Sequence, residues 1–210
     1  MDIFDEIATH RVVPVITIEN ADDALPLADA LLEGGLPVAE ITVRTEAAID
    51  SIRLIAKHRP EMLVGAGTVL SEVQLHAVQD AGAAFALAPG IDRAVLSEAS
   101  KIGLPFVPGV MTPSDIQTAL RAGCNRVKFF PALASGGLDM LKSLAAPYRH
   151  TGLRFNTTGG ITPETMNDWL NHDFIFAVGG SWIASASDIS AHQWDRIAAK
   201  AEAASQVAQG

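Results

Sequence analysis

Residues 12–18 have the sequence VVPVITI, and every position except Pro14 carries a β-branched side chain. Such a run predicts a buried β-strand of the kind found in parallel sheets. A helix is predicted next, over residues 20–33, with Asn20 as its N-cap and Gly34 and Gly35 at its end. Strand and helix together form one unit, and the repetition of this unit along the chain decides the fold.

The same alternation of strand and helix continues to the end of the chain. Further strands are predicted at residues 38–43, 62–68, 84–88, 105–107, 125–132, 153–157 and 174–178. Further helices are predicted at residues 46–58, 71–81, 92–101, 113–122, 137–146, 163–170 and 192–207, with an N-terminal lead-in helix at residues 3–9. Eight such units predict an α/β fold, a closed (β/α)8 TIM barrel, as a single domain over residues 1–210. The alternative is an open doubly wound sheet, but no GxGxxG motif follows the first strand.

Composition excludes several classes of protein. The 210 residues are 49% hydrophobic and 19% charged, which excludes a disordered chain. The formal net charge of −9 argues against nucleic acid binding. The single cysteine, Cys124, cannot form an internal disulfide, and the acidic N-terminus lacks a secretory signal, so we expect a cytoplasmic protein. No apolar run reaches the length of a membrane span, so no membrane partner is expected.

A lysine interrupts the apolar stretch at residues 125–132, whose sequence is NRVKFFPA. Desolvation disfavours a charged ammonium group, so a lysine in such a place loses its proton more easily and becomes a nucleophile. The alternative is a lysine on an exposed strand face, which is where most lysines lie. Strand alternation places Lys128 and Phe130 on one face and the apolar Val127 and Phe129 on the other, so Lys128 is expected inside the barrel.

The second predicted strand supplies charged partners for this lysine. Alternation places Glu40 and Arg44 on the face opposite Ala39 and Ile41, so both charged side chains are expected to point into the barrel. Buried charges are costly unless they are paired or used, and a structural Glu–Arg pair is the alternative explanation. In the third strand, Gly65-Ala66-Gly67 leaves room beside Thr68, whose hydroxyl could bind a ligand oxygen.

Glycine pairs end the last two predicted strands, in Thr158-Gly159-Gly160 and in Gly179-Gly180-Ser181. The ends of strands seven and eight form a phosphate site in many (β/α)8 barrels, where glycine amides approach the anion closely. Hydroxyl groups of Thr158 and Ser181 are expected to donate further hydrogen bonds. Tight turns explain a single glycine pair equally well, but two pairs on adjacent strands favour an anion site.

The remaining candidates for chemistry are weak. Six histidines are scattered without HxH or HExxH spacing, so neither a metal site nor a cofactor is expected. Cys124 has no histidine nearby in sequence and is expected to be a small buried filler. The expected site therefore consists of an amine, a carboxylate, an arginine that binds a carboxylate, and a phosphate site. An amine nucleophile attacks carbonyls to form a Schiff base, which indicates a class I aldolase for a phosphorylated 2-oxo acid.

The chain resembles the 2-keto-3-deoxy-6-phosphogluconate (KDPG) aldolase and 4-hydroxy-2-oxoglutarate (KHG) aldolase family. The matching stretches lie at residues 12–16, 40–46, 65–69, 108–110, 127–132, 158–161 and 179–182. The resemblance implies a metal-free (β/α)8 barrel that assembles as a homotrimer. It implies Lys128 as the Schiff-base lysine and Glu40 as the general acid and base. It further implies binding of the substrate by Arg44, Thr68, Phe130, Thr158, Gly159, Gly160, Gly180 and Ser181.

The implied reaction is the reversible cleavage of 2-dehydro-3-deoxy-6-phosphogluconate to pyruvate and glyceraldehyde 3-phosphate, with side activity on 4-hydroxy-2-oxoglutarate. The family often has a proline where this chain has Thr157, and its absence could loosen the phosphate loop and alter substrate preference. Three alternatives stay open: 4-hydroxy-2-oxoglutarate or a phosphogalactonate analogue as main substrate, a non-covalent phosphosugar isomerase, and a non-catalytic barrel that binds phosphorylated ligands.

Overall fold

Helix α1 (Ile3–His10) precedes the first strand in the computed structural model, which describes residues 2–209. Asp2 caps the helix: its side chain accepts a hydrogen bond from the amide of Phe4. Phe4 and Ile7 are buried against Val13 and Phe176, side chains from the first and last strands. Helix α1 is therefore the predicted lead-in helix, and it closes the amino-terminal end of the barrel.

The described chain alternates strands and helices as the sequence predicts. The strands are β1 (Val12–Ile16), β2 (Val38–Thr42), β3 (Leu63–Gly67), β4 (Phe85–Leu87), β5 (Phe106–Val107), β6 (Gly109–Val110), β7 (Arg126–Phe129), β8 (Arg154–Thr158) and β9 (Ile175–Gly180). The helices after α1 are α2 (Ala24–Glu33), α3 (Ala48–His58), α4 (Glu72–Asp80), α5 (Arg93–Ile102), α6 (Pro113–Arg121), α7 (Gly137–Ala145), α8 (Met166–Leu170), α9 (Ala186–Ser190) and α10 (Trp194–Gln209).

Neighbouring strands are all parallel, in the order β5-β4-β3-β2-β1-β9-β8-β7-β6. Strands β5 and β6 stand at the two ends of this order and are separated in the sequence only by Pro108. They are therefore two halves of one strand, and the barrel closes there. Proline has no amide hydrogen, which interrupts the ladder. Its carbonyl still accepts a hydrogen bond from the amide of Lys128 at 2.8 Å. The predicted (β/α)8 barrel is therefore confirmed; in the described chain its pairing is interrupted at this proline and shifts in register between Phe155 and Asn156 of β8.

Two groups of buried side chains follow the two faces of the strands. Ala39, Ile41, Val127 and Phe129 belong to the larger group, which fills the space between the strands and the helices. The smaller group lies inside the barrel and consists of Phe4, Ile7, Val13, Val38, Phe85, Leu87, Val107, Phe176 and Ala177. Strand alternation thus assigns the inner and outer faces of β2 and β7 as predicted.

Several boundaries differ from the predicted ones. The predicted helix at residues 163–170 begins only at Met166, because residues 162–165 form a turn in which the amide of Thr165 donates to the carbonyl of Thr162. Helix α9 has no counterpart among the predicted elements; Ser185 caps it by accepting a hydrogen bond from the amide of Asp188. Gly179 and Gly180, predicted to follow the last strand, are its final residues.

Candidate active site

A lysine and a carboxylate form a buried pair inside the barrel. Nζ of Lys128, from β7, donates a hydrogen bond to Oε1 of Glu40, from β2, at 2.8 Å. The exposed fraction is 0% for Glu40 and 5% for Lys128. Lys128 therefore lies inside the barrel, as alternation predicts, rather than on an exposed strand face. A buried pair of this kind is a poor source of stability, because desolvation offsets much of the attraction.

Glycine on the neighbouring strand makes room for the carboxylate. Thr42 of β2 lies opposite Gly67 of β3, and Glu40 lies opposite Gly65. A Cβ atom on Gly67 would stand 2.1 Å from Oε1 of Glu40, closer than any real contact. The room that the sequence predicts beside Thr68 is therefore used, in the structure, by the side chain of Glu40.

One oxygen of this carboxylate is left for a ligand. Oε2 of Glu40 is buried and has no hydrogen-bond partner within residues 2–209. A buried carboxylate oxygen without a partner is costly, and such a group calls for a functional explanation. The oxygen is in position to accept a hydrogen bond from a substrate hydroxyl or from a water molecule.

Phe130 lies beside the amine of Lys128, as the sequence predicts. Its half-buried ring has its centroid 5.7 Å from Nζ of Lys128. At this distance the ring face attracts a cation and excludes water from one side of the amine. The peptide bond from Phe130 to Pro131, directly after β7, is cis.

The structure places Arg44 differently from the prediction. Strand β2 ends at Thr42, and Arg44 follows in an exposed turn, where its amide donates to the carbonyl of Thr42 at 2.8 Å. Strand alternation does not apply beyond the end of a strand, so the expectation that Arg44 points inward along β2 is wrong. The side chain stands instead at the carboxyl end of the barrel, with no ion pair in the described chain, so its guanidinium remains available to a ligand.

Thr68 occupies a strained turn directly after β3. It is half-buried and has a φ of 58°, a left-handed conformation that is rare for a β-branched residue. Strained backbone of this kind is concentrated at ligand sites. Its neighbour Val69 is held by a hydrogen bond from its amide to the carbonyl of Leu87 at 3.0 Å.

The loop after β8 carries unpaired amides at the same end of the barrel. Gly159 and Gly160 have φ values of 108° and 82°, which only glycine adopts readily. Their amides, and that of Ser181 after β9, donate to no other residue of the described chain. Gly180 is buried as the last residue of β9, whereas Ser181 is exposed. Clustered free amides of this kind bind anions.

Two backbone hydrogen bonds fix this loop against the one that follows β7. The amide of Ala132 donates to the carbonyl of Thr158 at 2.8 Å, and the amide of Leu133 donates to the carbonyl of Gly159 at 2.9 Å. Thr157 is fully buried and continues strand β8, so the chain is regular where relatives of the family often have proline. The loop is thus held by these two hydrogen bonds and by the regular strand that precedes it, which argues against a loosened phosphate loop.

Alternation also places a residue in the site that the sequence argument left out. Asn156 lies next to Lys128 on the adjacent strand, is 2% exposed, and accepts a hydrogen bond from the hydroxyl of Thr158 at 2.9 Å. The signal was present in the sequence, because Asn156 has the same parity as Thr158. The sequence of one strand does not show its register against the next strand, and it is this register that brings Asn156 beside Lys128.

Other polar groups support no further chemistry. Residues 2–209 contain no group of three or more His, Cys, Asp and Glu side chains that could hold a metal ion. Cys124 is half-buried against the core, and burial raises the pKa of its thiol, which keeps the thiol protonated at neutral pH. None of the helices in this part of the chain has the length and apolarity that a membrane span requires.

A parallel barrel with a buried lysine–carboxylate pair and free backbone amides at its carboxyl end is typical of one class of protein, the Schiff-base lyases. The family model "KDPG and KHG aldolase" matches residues 3–200. The chain therefore belongs to the KDPG and KHG aldolase family.

Relatives and solved structures agree with this assignment. The chain is 43% identical to the KHG/KDPG aldolase of Escherichia coli K12 over 91% of this chain and 89% of that protein. It is similar to the KDPG aldolase of Legionella pneumophila with pyruvate captured as a covalent carbinolamine intermediate, at 39% identity and a TM-score of 0.92 over 97% of this chain and 98% of that one. It is similar to the aldolase of Zymomonas mobilis ZM4 with 3-phosphoglycerate, at 40% identity and a TM-score of 0.88 over 96% and 94%.

Proposed function

We propose that this chain is a class I aldolase that reversibly cleaves 2-dehydro-3-deoxy-6-phosphogluconate to pyruvate and glyceraldehyde 3-phosphate. The observation that carries the proposal is the buried contact of 2.8 Å between Lys128 and Glu40, in which the second carboxylate oxygen has no partner in the described chain. An amine beside a carboxylate that can take and return protons is the arrangement that Schiff-base chemistry needs.

The first half of the reaction forms the Schiff base. Glu40 takes a proton from the ammonium of Lys128, and the free amine attacks C2 of the substrate to give a carbinolamine. Glu40 returns its proton to the departing hydroxyl, which leaves as water, and an iminium remains on Lys128. The Legionella relative, in which pyruvate is held as a carbinolamine, supports this step.

The second half breaks the carbon–carbon bond. Glu40, again a carboxylate, takes the proton of the C4 hydroxyl, and the electron pair of the C3–C4 bond moves to the iminium and forms an enamine. Glyceraldehyde 3-phosphate leaves. Glu40 then returns the proton to C3, and water hydrolyses the iminium to release pyruvate and restore the ammonium of Lys128.

Binding roles follow from position at the mouth of the barrel. Arg44 and Thr68, after β2 and β3, are assigned to the carboxylate of the pyruvyl half, and Phe130 lines the pocket beside Lys128. Support comes from the free guanidinium of Arg44 and from the strained turn at Thr68. The anion site at the ends of β8 and β9 is assigned to the phosphate, held by Gly159, Gly160, Gly180 and Ser181 with Thr158 beside it. The Zymomonas relative binds a phosphorylated compound, 3-phosphoglycerate.

The substrate assignment is tested by turnover. We expect the purified chain to release pyruvate from 2-dehydro-3-deoxy-6-phosphogluconate, with a smaller kcat/KM for 4-hydroxy-2-oxoglutarate, which has no phosphate for the glycine loops to bind. The name of the Escherichia coli relative includes both substrates. A larger kcat/KM for 4-hydroxy-2-oxoglutarate or for the phosphogalactonate analogue would make that compound the main substrate. Isomerisation of a phosphosugar without release of pyruvate would contradict the aldolase assignment.

The chain is further proposed to act as one domain over residues 1–210, to assemble as a homotrimer and to work in the cytoplasm. Exposed apolar side chains include Met111 after β6, Leu133 after β7 and Met140 in α7, and exposed apolar surface of this kind is typical of subunit contacts. Mass measured in solution tests the assembly: three chains per particle are expected, and the mass of a single chain would contradict the homotrimer.

A further inference from the structure

Asn156 lies at the boundary between the apolar and polar halves of the barrel interior. It lines a cavity of about 10 Å³ together with apolar side chains that include Phe4, Val13, Phe85 and Phe176. Its neighbour on the adjacent strand is Lys128. A side-chain amide buried here is costly unless its polar atoms are hydrogen-bonded. An apolar side chain would pack better against the apolar half of the interior. The position therefore calls for a role toward the polar half.

The hydrogen bond to Thr158 has a defined direction. Oδ1 of Asn156 carries no hydrogen, so Oγ1 of Thr158 is the donor across the 2.9 Å contact. A hydroxyl has only one hydrogen, and this one is engaged. Toward a ligand, Oγ1 of Thr158 therefore offers only lone pairs, and the earlier expectation that it donates to phosphate does not fit this geometry.

Gly179 on the next strand fixes the same hydroxyl from the other side. Thr158 lies opposite Gly179 in the ladder between β8 and β9. A Cβ atom on Gly179 would stand 2.2 Å from Oγ1 of Thr158, so the hydroxyl occupies space that only glycine leaves open. The threonine is thus held between a hydrogen-bond acceptor and a strand without a side chain.

We propose that Asn156 is a positioning residue that turns the hydroxyl of Thr158 into an acceptor for a hydroxyl of the substrate. This inference rests on the proposed function. The C4 hydroxyl of the substrate gives its proton to Glu40 during cleavage, so the hydroxyl that remains to donate is the one on C5. In the reverse reaction that group is the C2 hydroxyl of glyceraldehyde 3-phosphate.

The test compares two aldehydes in condensation with pyruvate. Glyceraldehyde 3-phosphate carries the hydroxyl. Glycolaldehyde phosphate keeps the phosphate but lacks both this hydroxyl and the carbon that bears it, so the comparison is between the variant-to-unaltered ratios for each aldehyde. Asn156→Leu removes the acceptor at similar volume, and Asn156→Ala serves if the leucine variant does not fold. We expect kcat/KM for glyceraldehyde 3-phosphate to fall about tenfold, as for the loss of one hydrogen bond, and kcat/KM for glycolaldehyde phosphate to change less than about twofold.

A second pair of measurements separates this role from a structural one. Thr158→Val is expected to give a similar loss, and adding Asn156→Leu to it is expected to give no further loss, because both act through one hydroxyl. Deuterium exchange at C3 of pyruvate, which uses Lys128 and Glu40 alone, is expected to stay within about twofold. Thr157→Val, on the outer face of the same strand, is the matched control and is expected to leave all rates unchanged.

Each contrary outcome is distinct. Equal losses with both aldehydes would overturn the proposal in favour of a phosphate contact. Slower deuterium exchange would mean that Asn156 acts on Lys128 instead of Thr158. Additive losses in the double variant would mean that Asn156 does not act through the hydroxyl of Thr158. Failure of the unaltered chain to condense pyruvate with either aldehyde would instead overturn the proposed function itself.

Discussion

The two ends of the barrel interior are built from the same strands in opposite ways. At the amino-terminal end, side chains such as Phe4, Val13, Phe85 and Phe176 pack against one another and leave a cavity of only about 10 Å³. At the carboxyl end, Glu40 is paired with Lys128, and one carboxylate oxygen has no partner in the described chain. The first arrangement minimises free energy by burial, whereas the second keeps a charged pair away from water at a cost.

The difference shows how stability and chemistry are separated within one small barrel. Apolar burial at the closed end contributes folding free energy in proportion to the area removed from water. The ion pair at the open end contributes little net stability, because desolvation offsets its attraction. Substitutions at one end should therefore change stability and leave turnover intact, and substitutions at the other end should do the reverse.

The largest expected effect is at the open end. Replacing the reactive amine in Lys128→Met should lower kcat by about four orders of magnitude or more, because no Schiff base can form. Steady-state release of pyruvate measures the loss. The matched control is Lys101→Met, at an exposed lysine paired with Glu98 at 2.8 Å, which should keep the full rate. Substantial turnover by Lys128→Met would show that turnover does not depend on the lysine at the open end.

The next largest effect is at the closed end. Phe85→Ala should cost about 3–5 kcal/mol of unfolding free energy, because the ring is 2% exposed and its removal leaves a cavity. The kcat of the folded fraction should stay within about twofold of the unaltered value. Urea unfolding and initial rates at low temperature measure the two quantities separately. A large fall in kcat without loss of stability would contradict the separation.

A smaller effect on both quantities is expected where the two roles meet. Gly67→Ala would place a methyl group 2.1 Å from the present position of Oε1 of Glu40, which must then move. Overpacking of this size costs about 1–3 kcal/mol of stability, and displacing Glu40 from its proposed place as general acid and base should lower kcat by about 10- to 100-fold. Rates and unfolding measured on the same preparation check both. An unchanged kcat would show that the catalytic position of Glu40 does not depend on this glycine.

The smallest effect is a gain in stability on the outer face of β8. The hydroxyl of Thr157 is buried and has no partner within residues 2–209. Thr157→Val replaces it with a methyl group of the same shape and should raise the unfolding free energy by about 1 kcal/mol. Thermal unfolding measures the gain, and the rate should not change. A loss of stability would mean that the hydroxyl has a role that this geometry does not account for.

The sequence predicts the inner face of β2 and β7 correctly, because alternation along a strand is a local property. It places Glu40 and Lys128 inside the barrel, and the structure brings them within 2.8 Å. It fails for Arg44, because the end of β2 depends on pairing with β3 and not on the residues themselves. It also fails for Asn156, because the register of β8 against β7 is set by the closed barrel as a whole.

Contacts between neighbouring strands explain the other differences. Gly67 is predicted to leave room for a ligand near Thr68, but the register puts Glu40 into that space. The fifth strand is predicted at residues 105–107, whereas the structure continues it beyond Pro108 as β6, where the barrel closes. The missing amide hydrogen of Pro108 is visible in the sequence, but the pairing of residues 109–110 with β7 is not. Residue pattern thus determines faces, and the assembled barrel determines which side chains meet.

The proposed function requires that Lys128 form a covalent Schiff base with a 2-oxo acid. Incubation with pyruvate, reduction with borohydride, digestion and mass measurement test it directly. We predict one reduced pyruvyl group on the peptide that contains Lys128, and none on that peptide in the chain carrying Lys128→Met. If no adduct forms in the unaltered chain, or if the adduct lies on another lysine, Lys128 is not the Schiff-base residue.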